Sequence, residues 1–150
     1  LFINTSKVII EGLVIRDNFA DGIGILLQDC KYGGYIKNCI IEGIKDTNDQ
    51  HGHGIRLDAV NEFSRYYITN NIIYGFNNYD PFTPSNCGIL TYPIGDSMRI
   101  WVDNNTLYNN KYGIWNRGGE EGYYDCWATV RNNLAQNPNS TVYSEDFFQT

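Results

Sequence analysis

Hydrophobic and polar positions alternate in a short phrase that recurs along the chain. One copy reads Ile36-Lys37-Asn38-Cys39-Ile40-Ile41-Glu42-Gly43. Further copies begin at Ile68, Val102 and Val130, and a degenerate copy begins at Ile9. A second phrase, Gly-Ile followed by alternating residues, lies between them and begins at Gly24, Gly54, Gly88 and Gly113. Alternation over this length is typical of strands, so each period predicts at least two short strands and two turns.

The spacing of the copies predicts a solenoid. Their first residues, at positions 9, 36, 68, 102 and 130, are 27, 32, 34 and 28 residues apart. A unit this short cannot bury its own apolar side and must stack on its neighbours. No apolar stripe with helical periodicity separates the phrases. We therefore predict an all-β solenoid of about five coils.

The phrase also predicts an internal asparagine ladder. If Ile36 and its equivalents face inward, alternation turns the residue two positions later inward as well. Those residues are Asn38, Asn70, Asn104 and Asn132. Buried amides are costly unless they are paired, and stacking at about 4.8 Å would let each bond its neighbour.

The Asn phrase alternating with the Gly-Ile phrase strongly resembles the right-handed parallel β-helix repeat of the pectate-lyase-like superfamily. The resemblance covers about residues 8 to 137. It implies a right-handed parallel β-helix at residues 1–137, with residues 138–150 as a C-terminal tail that is a candidate cap for the last coil. It also implies an extracellular or cell-surface protein that acts on carbohydrate, although the same fold serves several functions.

Composition supports strands and turns over helices. The 150 residues include nineteen Asn, eighteen Ile, fifteen Gly and twelve Tyr. The net charge of −6, without a cluster of Lys or Arg, argues against a nucleic-acid partner. No apolar run approaches the roughly 18 residues of a membrane-spanning helix, so no membrane insertion is expected.

Two features of the chain leave alternatives open. Cys30, Cys39, Cys87 and Cys126 either form two disulfides or are small buried hydrophobic residues. The chain opens inside the first coil without a recognisable cap. This predicts either an N-terminally truncated fragment or self-association through an uncapped N-terminal coil.

Outward aromatic residues precede the inward aliphatic residue on three consecutive coils. They are Tyr35, Tyr67 and Trp101. Aromatic faces suit the apolar faces of sugar rings, which makes the row a candidate substrate-binding surface. The alternative is cross-strand packing among the rings themselves.

The densest chemistry lies between Asp49 and Asp58, next to one of two lengthened loops at residues 44–53 and 76–87. We take His53, Arg56 and Asp58, with Arg117 from a later coil, as candidate catalytic residues. His51, Tyr92 and Trp115 are candidate substrate-binding residues. The alternative for a Gly-flanked histidine is a turn residue that bonds a backbone carbonyl.

The motif Gly52-His53-Gly54 resembles the Gly-His-Gly motif of polygalacturonase-type glycoside hydrolases. Their Asn-Thr-Asp motif is absent, and position 28 is Gln where the resemblance would need Asp. The hydrolytic mechanism of that family is therefore not expected for this chain.

Loop carboxylates provide a candidate calcium site. Asp46, Asp49 and Asp80 have the oxygen ligands that Ca²⁺ prefers, and a cation would neutralise the carboxylate of a uronate substrate. The alternative is that they are solvated loop acids, since their spacing matches no calcium motif.

Together these features predict a carbohydrate-active β-helix that binds an extended polysaccharide, with a uronate-containing polymer as the candidate ligand. Whether it also cleaves its ligand, as a polysaccharide lyase or glycoside hydrolase, is left open. The alternative is a non-enzymatic solenoid: a phage tailspike, an adhesin or a cell-surface structural protein.

Overall fold

The computed structural model describes residues 1–16, 22–43, 52–77, 86–119, 122–136 and 148–149. Within these ranges the regular structure is all strand, and no helix has the length and apolar character needed to span a bilayer. In chain order the strands are β1 (Phe2–Asn4), β2 (Val8–Glu11), β3 (Val14–Arg16), β4 (Ile23–Gln28), β5 (Gly34–Lys37), β6 (Ile40–Glu42), β7 (His53–Asp58), β8 (Ser64–Thr69), β9 (Ile72–Tyr74), β10 (Cys87–Tyr92), β11 (Met98–Asp103), β12 (Thr106–Tyr108), β13 (Tyr112–Asn116), β14 (Cys126–Arg131), β15 (Leu134–Gln136) and β16 (Phe148–Gln149).

Three parallel sheets form a β-solenoid, which confirms the predicted fold class. The first sheet has the order β1-β4-β7-β10-β13-β16, the second β14-β11-β8-β5-β2, and the third β15-β12-β9-β6-β3. The Gly-Ile phrase forms the first sheet, and the Asn phrase forms the other two, with a corner between them. The chain makes about four turns, where about five coils were predicted.

Inward aliphatic residues stack in rows that run along the solenoid and form its core. On the first sheet Ile25, Ile55, Ile89 and Ile114 are in register and buried. Ile10, Ile36, Ile68 and Val102 form the equivalent row of the second sheet. Burial of each such side chain contributes about 1.5–3 kcal/mol, and each coil obtains this only from its neighbours.

The asparagine ladder predicted at positions 38, 70, 104 and 132 is not formed. All four residues are exposed, and each has a positive φ of 54–57° at the corner between the second and third sheets. Asparagine tolerates this left-handed conformation better than most residues. The corner residue interrupts the strand alternation, so its own side chain faces solvent and the next residue faces inward.

The inward residues that follow the corner are joined by hydrogen bonds from coil to coil. Asn105 Oδ1 accepts from the backbone N–H and from Nδ2 of Asn71, both at 3.0 Å. Asn133 Oδ1 accepts the same two donors from Asn105, at 2.8 and 2.9 Å. Asn71 Oδ1 accepts the N–H of Cys39 at 2.9 Å. The first Asn of the phrase therefore makes the corner, and the second bonds the coils.

The four cysteines are unpaired. Cys30, Cys39 and Cys87 are buried, and Cys126 is half-buried. Burial raises the pKa of Cys30 to about 11 and that of Cys126 to about 12. The structure thus favours the buried-hydrophobe alternative over two disulfides.

Candidate functional site

The outer face of the first sheet carries charged and aromatic groups on neighbouring strands. In β7, Ile55 and Leu57 are buried in the core, so alternation directs Arg56 and Asp58 to the opposite face. Strand register aligns these residues in two rows across the sheet. The first row is Leu26, Arg56, Leu90 and Trp115. The row beside it is Gln28, Asp58 and Tyr92.

Arg56 and Asp58 form a bidentate ion pair within β7. Arg56 Nε donates to Asp58 Oδ1 at 2.8 Å, and Nη2 donates to Oδ2 at 3.1 Å. Asp58 is only 3% exposed although it lies on an outward row. Burial raises the pKa of its carboxyl above the ordinary value, against the opposing effect of Arg56. Both carboxylate oxygens are therefore engaged by one guanidinium.

Tyr92 brings this ion pair together with residues of the segment after β13. The guanidinium carbon of Arg56 is 4.4 Å from the Tyr92 ring centre, and that of Arg117 is 5.2 Å from it. Arg117 also lies 4.1 Å from the ring of Tyr123, whose hydroxyl is 3.2 Å from that of Tyr92. We call Arg56, Asp58, Tyr92, Arg117 and Tyr123 the arginine–tyrosine cluster.

The structure brings these residues together on the surface that sequence phase indicated. Tyr123 was not among the predicted site residues. Tyr123 lies outside the repeat, so alternation gives no direction for its side chain. The segment that carries it is held by a hydrogen bond from Tyr124 N–H to Pro93 O at 2.8 Å. The available signal was the extra length between β13 and β14, which is a common place for binding residues.

His53 lies apart from the cluster. It is 6% exposed and shares the strand parity of the core residues Ile55 and Leu57, opposite to Arg56. Its Nδ1 accepts the backbone N–H of Cys87 at 3.5 Å. Three residues of extended strand also place its Cα about 10 Å from that of Arg56. The expected grouping of His53 with Arg56 and Asp58 is not formed.

The aromatic row on the second sheet is stacked ring on ring. The centroids of Tyr35 and Tyr67 are 4.6 Å apart at an interplanar angle of 7°, and those of Tyr67 and Trp101 are 4.4 Å apart at 4°. The two faces of Tyr67 are therefore covered by its neighbours, and its edge points to solvent. This geometry matches the cross-strand packing alternative. On the first sheet, the ring of Trp115 packs edge-on against that of Tyr112, with the ring centres 4.7 Å apart.

A polar cleft of about 430 Å³ lies at the corner between the first and second sheets. It is lined by Asn4, Thr5, Ser6, Asp29, Asn61 and Glu62. The Asp29 carboxylate accepts the N–H groups of Val60 and Asn61 at 2.8 and 3.1 Å. Burial opposes ionisation, but these hydrogen bonds hold the pKa of Asp29 below its ordinary value. Asp29 thus fastens one coil to the next.

The remaining predicted site residues lie outside the described residues. They are His51 and the three candidate calcium ligands, Asp46, Asp49 and Asp80. In the part of the chain that the structure describes, no group of three or more His, Cys, Asp or Glu residues could hold a metal ion.

Comparison of the chain with protein-family models, with curated proteins and with solved structures gave no match. The geometry above defines a parallel β-solenoid. The finer resemblance to the pectate-lyase-like superfamily stays a prediction from the quoted repeat.

Proposed function

We propose that this solenoid binds an extended, uronate-containing polysaccharide across the outer face of its first sheet, at the cell surface or outside the cell. The observation that carries the proposal is the arginine–tyrosine cluster. Two guanidinium groups are held against the ring of Tyr92, on a rigid face built from consecutive coils.

The chemistry of the cluster suits an acidic sugar. Arginine presents a planar set of donors that matches a carboxylate, and stacking on an aromatic ring fixes its orientation. Trp115 lies in the same row as Arg56 and is half-buried, so its exposed part adds apolar surface near the charged groups. Because these charged and aromatic groups lie on neighbouring strands, a polymer running along the solenoid would contact them one coil after another.

The proposal concerns binding and not bond cleavage. Asp58 has the raised pKa of a general acid or base, but Arg56 bonds both of its oxygens and the residue is almost fully buried. His53 lies on the other side of the strand.

Affinity gel electrophoresis with polygalacturonate, alginate and a neutral glucan tests the proposal, with and without Ca²⁺. Retardation is expected in the acidic gels alone. Arg117→Gln should weaken it about tenfold, since a charge-assisted hydrogen bond to a carboxylate is worth about 1.5–3 kcal/mol. Arg16→Gln is the matched control, because Arg16 lies on the third sheet, paired to Glu42 at 2.9 Å.

Equal retardation in all gels, or equal effects of the two substitutions, would contradict the proposal. A parallel measurement of ultraviolet absorbance and reducing ends would detect unsaturated or hydrolysed products. Because we assign binding alone, product formation that depends on Asp58 would overturn that restriction.

A second candidate function, a structural solenoid with lateral contacts, is supported by an aliphatic stripe on the third sheet. The outward row in register is Val14, Ile40, Ile72, Thr106 and Leu134. Its four aliphatic members are 37–67% exposed. Contiguous exposed apolar surface of this kind commonly marks a protein contact.

Sedimentation velocity over a concentration series tests the structural candidate. Lateral association that is lost in Ile40→Lys/Ile72→Lys, but kept in Thr69→Lys on the second sheet, would support it. A wild-type protein that stays monomeric throughout would refute it.

A further inference from the structure

Two arginines lie side by side on the outer face of the second sheet. Arg65 of β8 and Arg99 of β11 are partners in the parallel register, and Trp127 of β14 continues the same row. Neighbouring strands are about 4.8 Å apart, so the two side chains leave the sheet on adjacent coils. Both residues are exposed.

Aromatic rings surround this pair. The guanidinium carbon of Arg65 is 4.8 Å from the Phe63 ring centre, and that of Arg99 is 5.8 Å from Trp127 and 6.0 Å from Trp101. The ring centres of Phe63, which directly precedes β8, and Trp127 of β14 are 6.1 Å apart, although β11 lies between β8 and β14 in the sheet order. These rings limit the orientations of the guanidinium groups.

Neither arginine is paired to a carboxylate of the described residues. Glu62 and Asp103 have other cationic partners: Glu62 lies 3.8 Å from Lys31, and Asp103 bonds Arg131 at 2.7 Å. Arg65 donates instead to the backbone carbonyl of Lys31 at 3.0 Å. Like charges directly opposite one another on neighbouring strands are destabilising, and an anion bridging them would relieve that repulsion.

We infer that Arg65 and Arg99 form a second binding site, for the sulfate or carboxylate group of an acidic saccharide. Two guanidinium groups on adjacent coils can both donate to one oxyanion. Trp127, 47% exposed, offers an apolar surface to the adjoining sugar ring. This site is on a different sheet from the arginine–tyrosine cluster and goes beyond the function proposed for that cluster.

Isothermal titration calorimetry of the full chain tests this inference with three oligosaccharides of equal length: one sulfated, one carboxylated and one neutral. We expect binding of at least one acidic probe and none of the neutral one. Comparison of the two acidic probes identifies the anionic group. Arg65→Gln and Arg99→Gln should each weaken binding about tenfold, and the double variant further.

Arg131→Gln is the matched control, since it removes one positive charge from the same face where Asp103 already neutralises it. Affinity within about twofold of the wild type is expected for it. Equal losses in Arg131→Gln and Arg99→Gln would show general attraction to the face and overturn the inference, as would no binding of either acidic probe.

Arg117→Gln separates this site from the arginine–tyrosine cluster. Binding lost in Arg117→Gln, but unchanged in Arg65→Gln/Arg99→Gln, would overturn the second site and leave the proposed function standing. The reverse result would support the second site and contradict the proposed one. Unchanged thermal unfolding of each variant checks that the fold is intact.

Discussion

The two asparagines of each repeat phrase are expected to differ sharply in their effect on stability, and positions 104 and 105 test this best. Asn105 bonds both neighbouring coils. In one coil its Oδ1 accepts from Asn71 and its Nδ2 donates to Ile68 O at 2.9 Å, and in the other coil its Nδ2 donates to Asn133 Oδ1 at 2.9 Å. Asn104 is exposed and makes the corner with a φ of 57°. Adjacent residues of one type therefore have separate roles.

The expected cost of Asn105→Ala follows from the groups that it leaves unpaired. Asn71 is 1% exposed, so its N–H would lose its acceptor in a place that water does not reach. The carbonyl of Ile68 would lose the Asn105 donor as well. At about 1–3 kcal/mol for each buried unpaired group, the total is about 2–6 kcal/mol. Asn104→Gly should be nearly neutral, and Asn104→Ala should cost about 1–2 kcal/mol, because Ala disfavours positive φ.

Equilibrium urea unfolding of the wild type and the three variants measures these differences, provided that the slope of the free energy of unfolding against urea concentration is the same for all four proteins. The reasoning would be refuted if Asn104→Gly lowered the free energy of unfolding as much as Asn105→Ala. That result would mean that the first Asn, and not the second, holds the coils together.

Four further predictions concern ring stacking, the titration of two carboxyl groups and the thiols. Tyr67→Ala should destabilise more than Tyr35→Ala in urea unfolding, because Tyr67 stacks on two rings; equal losses would argue against the stack. The pKa of Asp58 is raised, so the wild type should lose thermal stability relative to Asp58→Asn as the pH rises above about 3.8. The pKa of Asp29 is lowered, so the wild type should be more stable than Asp29→Asn above that pH, and this difference should disappear as the pH falls. If the Asp58 and Asp29 variants showed the same pH trend, the assignment would be contradicted. Four thiols should react with Ellman's reagent in denaturant but only slowly in the folded protein; fewer than four would reveal a disulfide.

Much of the fold could be predicted because each copy of the repeat phrase places apolar residues at the same inward positions. Alternation assigned the inward rows of Ile36 and Ile55 correctly, and it placed Arg56, Asp58 and Tyr92 on one outer face. The prediction that the first Asn of each phrase faces inward was wrong, because alternation holds only within a strand. A single left-handed residue at each corner shifts the phase, so Asn105 faces inward where Asn104 was expected to do so.

The sequence by itself determined the period, the strand-forming phrases and the residues that form the core, since these depend on local pattern and on burial by identical neighbours. Only the tertiary structure decided which groups meet. The ring stack of Tyr67, the cations around Tyr92 and the paired arginines Arg65 and Arg99 depend on the register between coils. That register joins residues roughly thirty positions apart, and side-chain contacts across it follow from packing that no local pattern encodes.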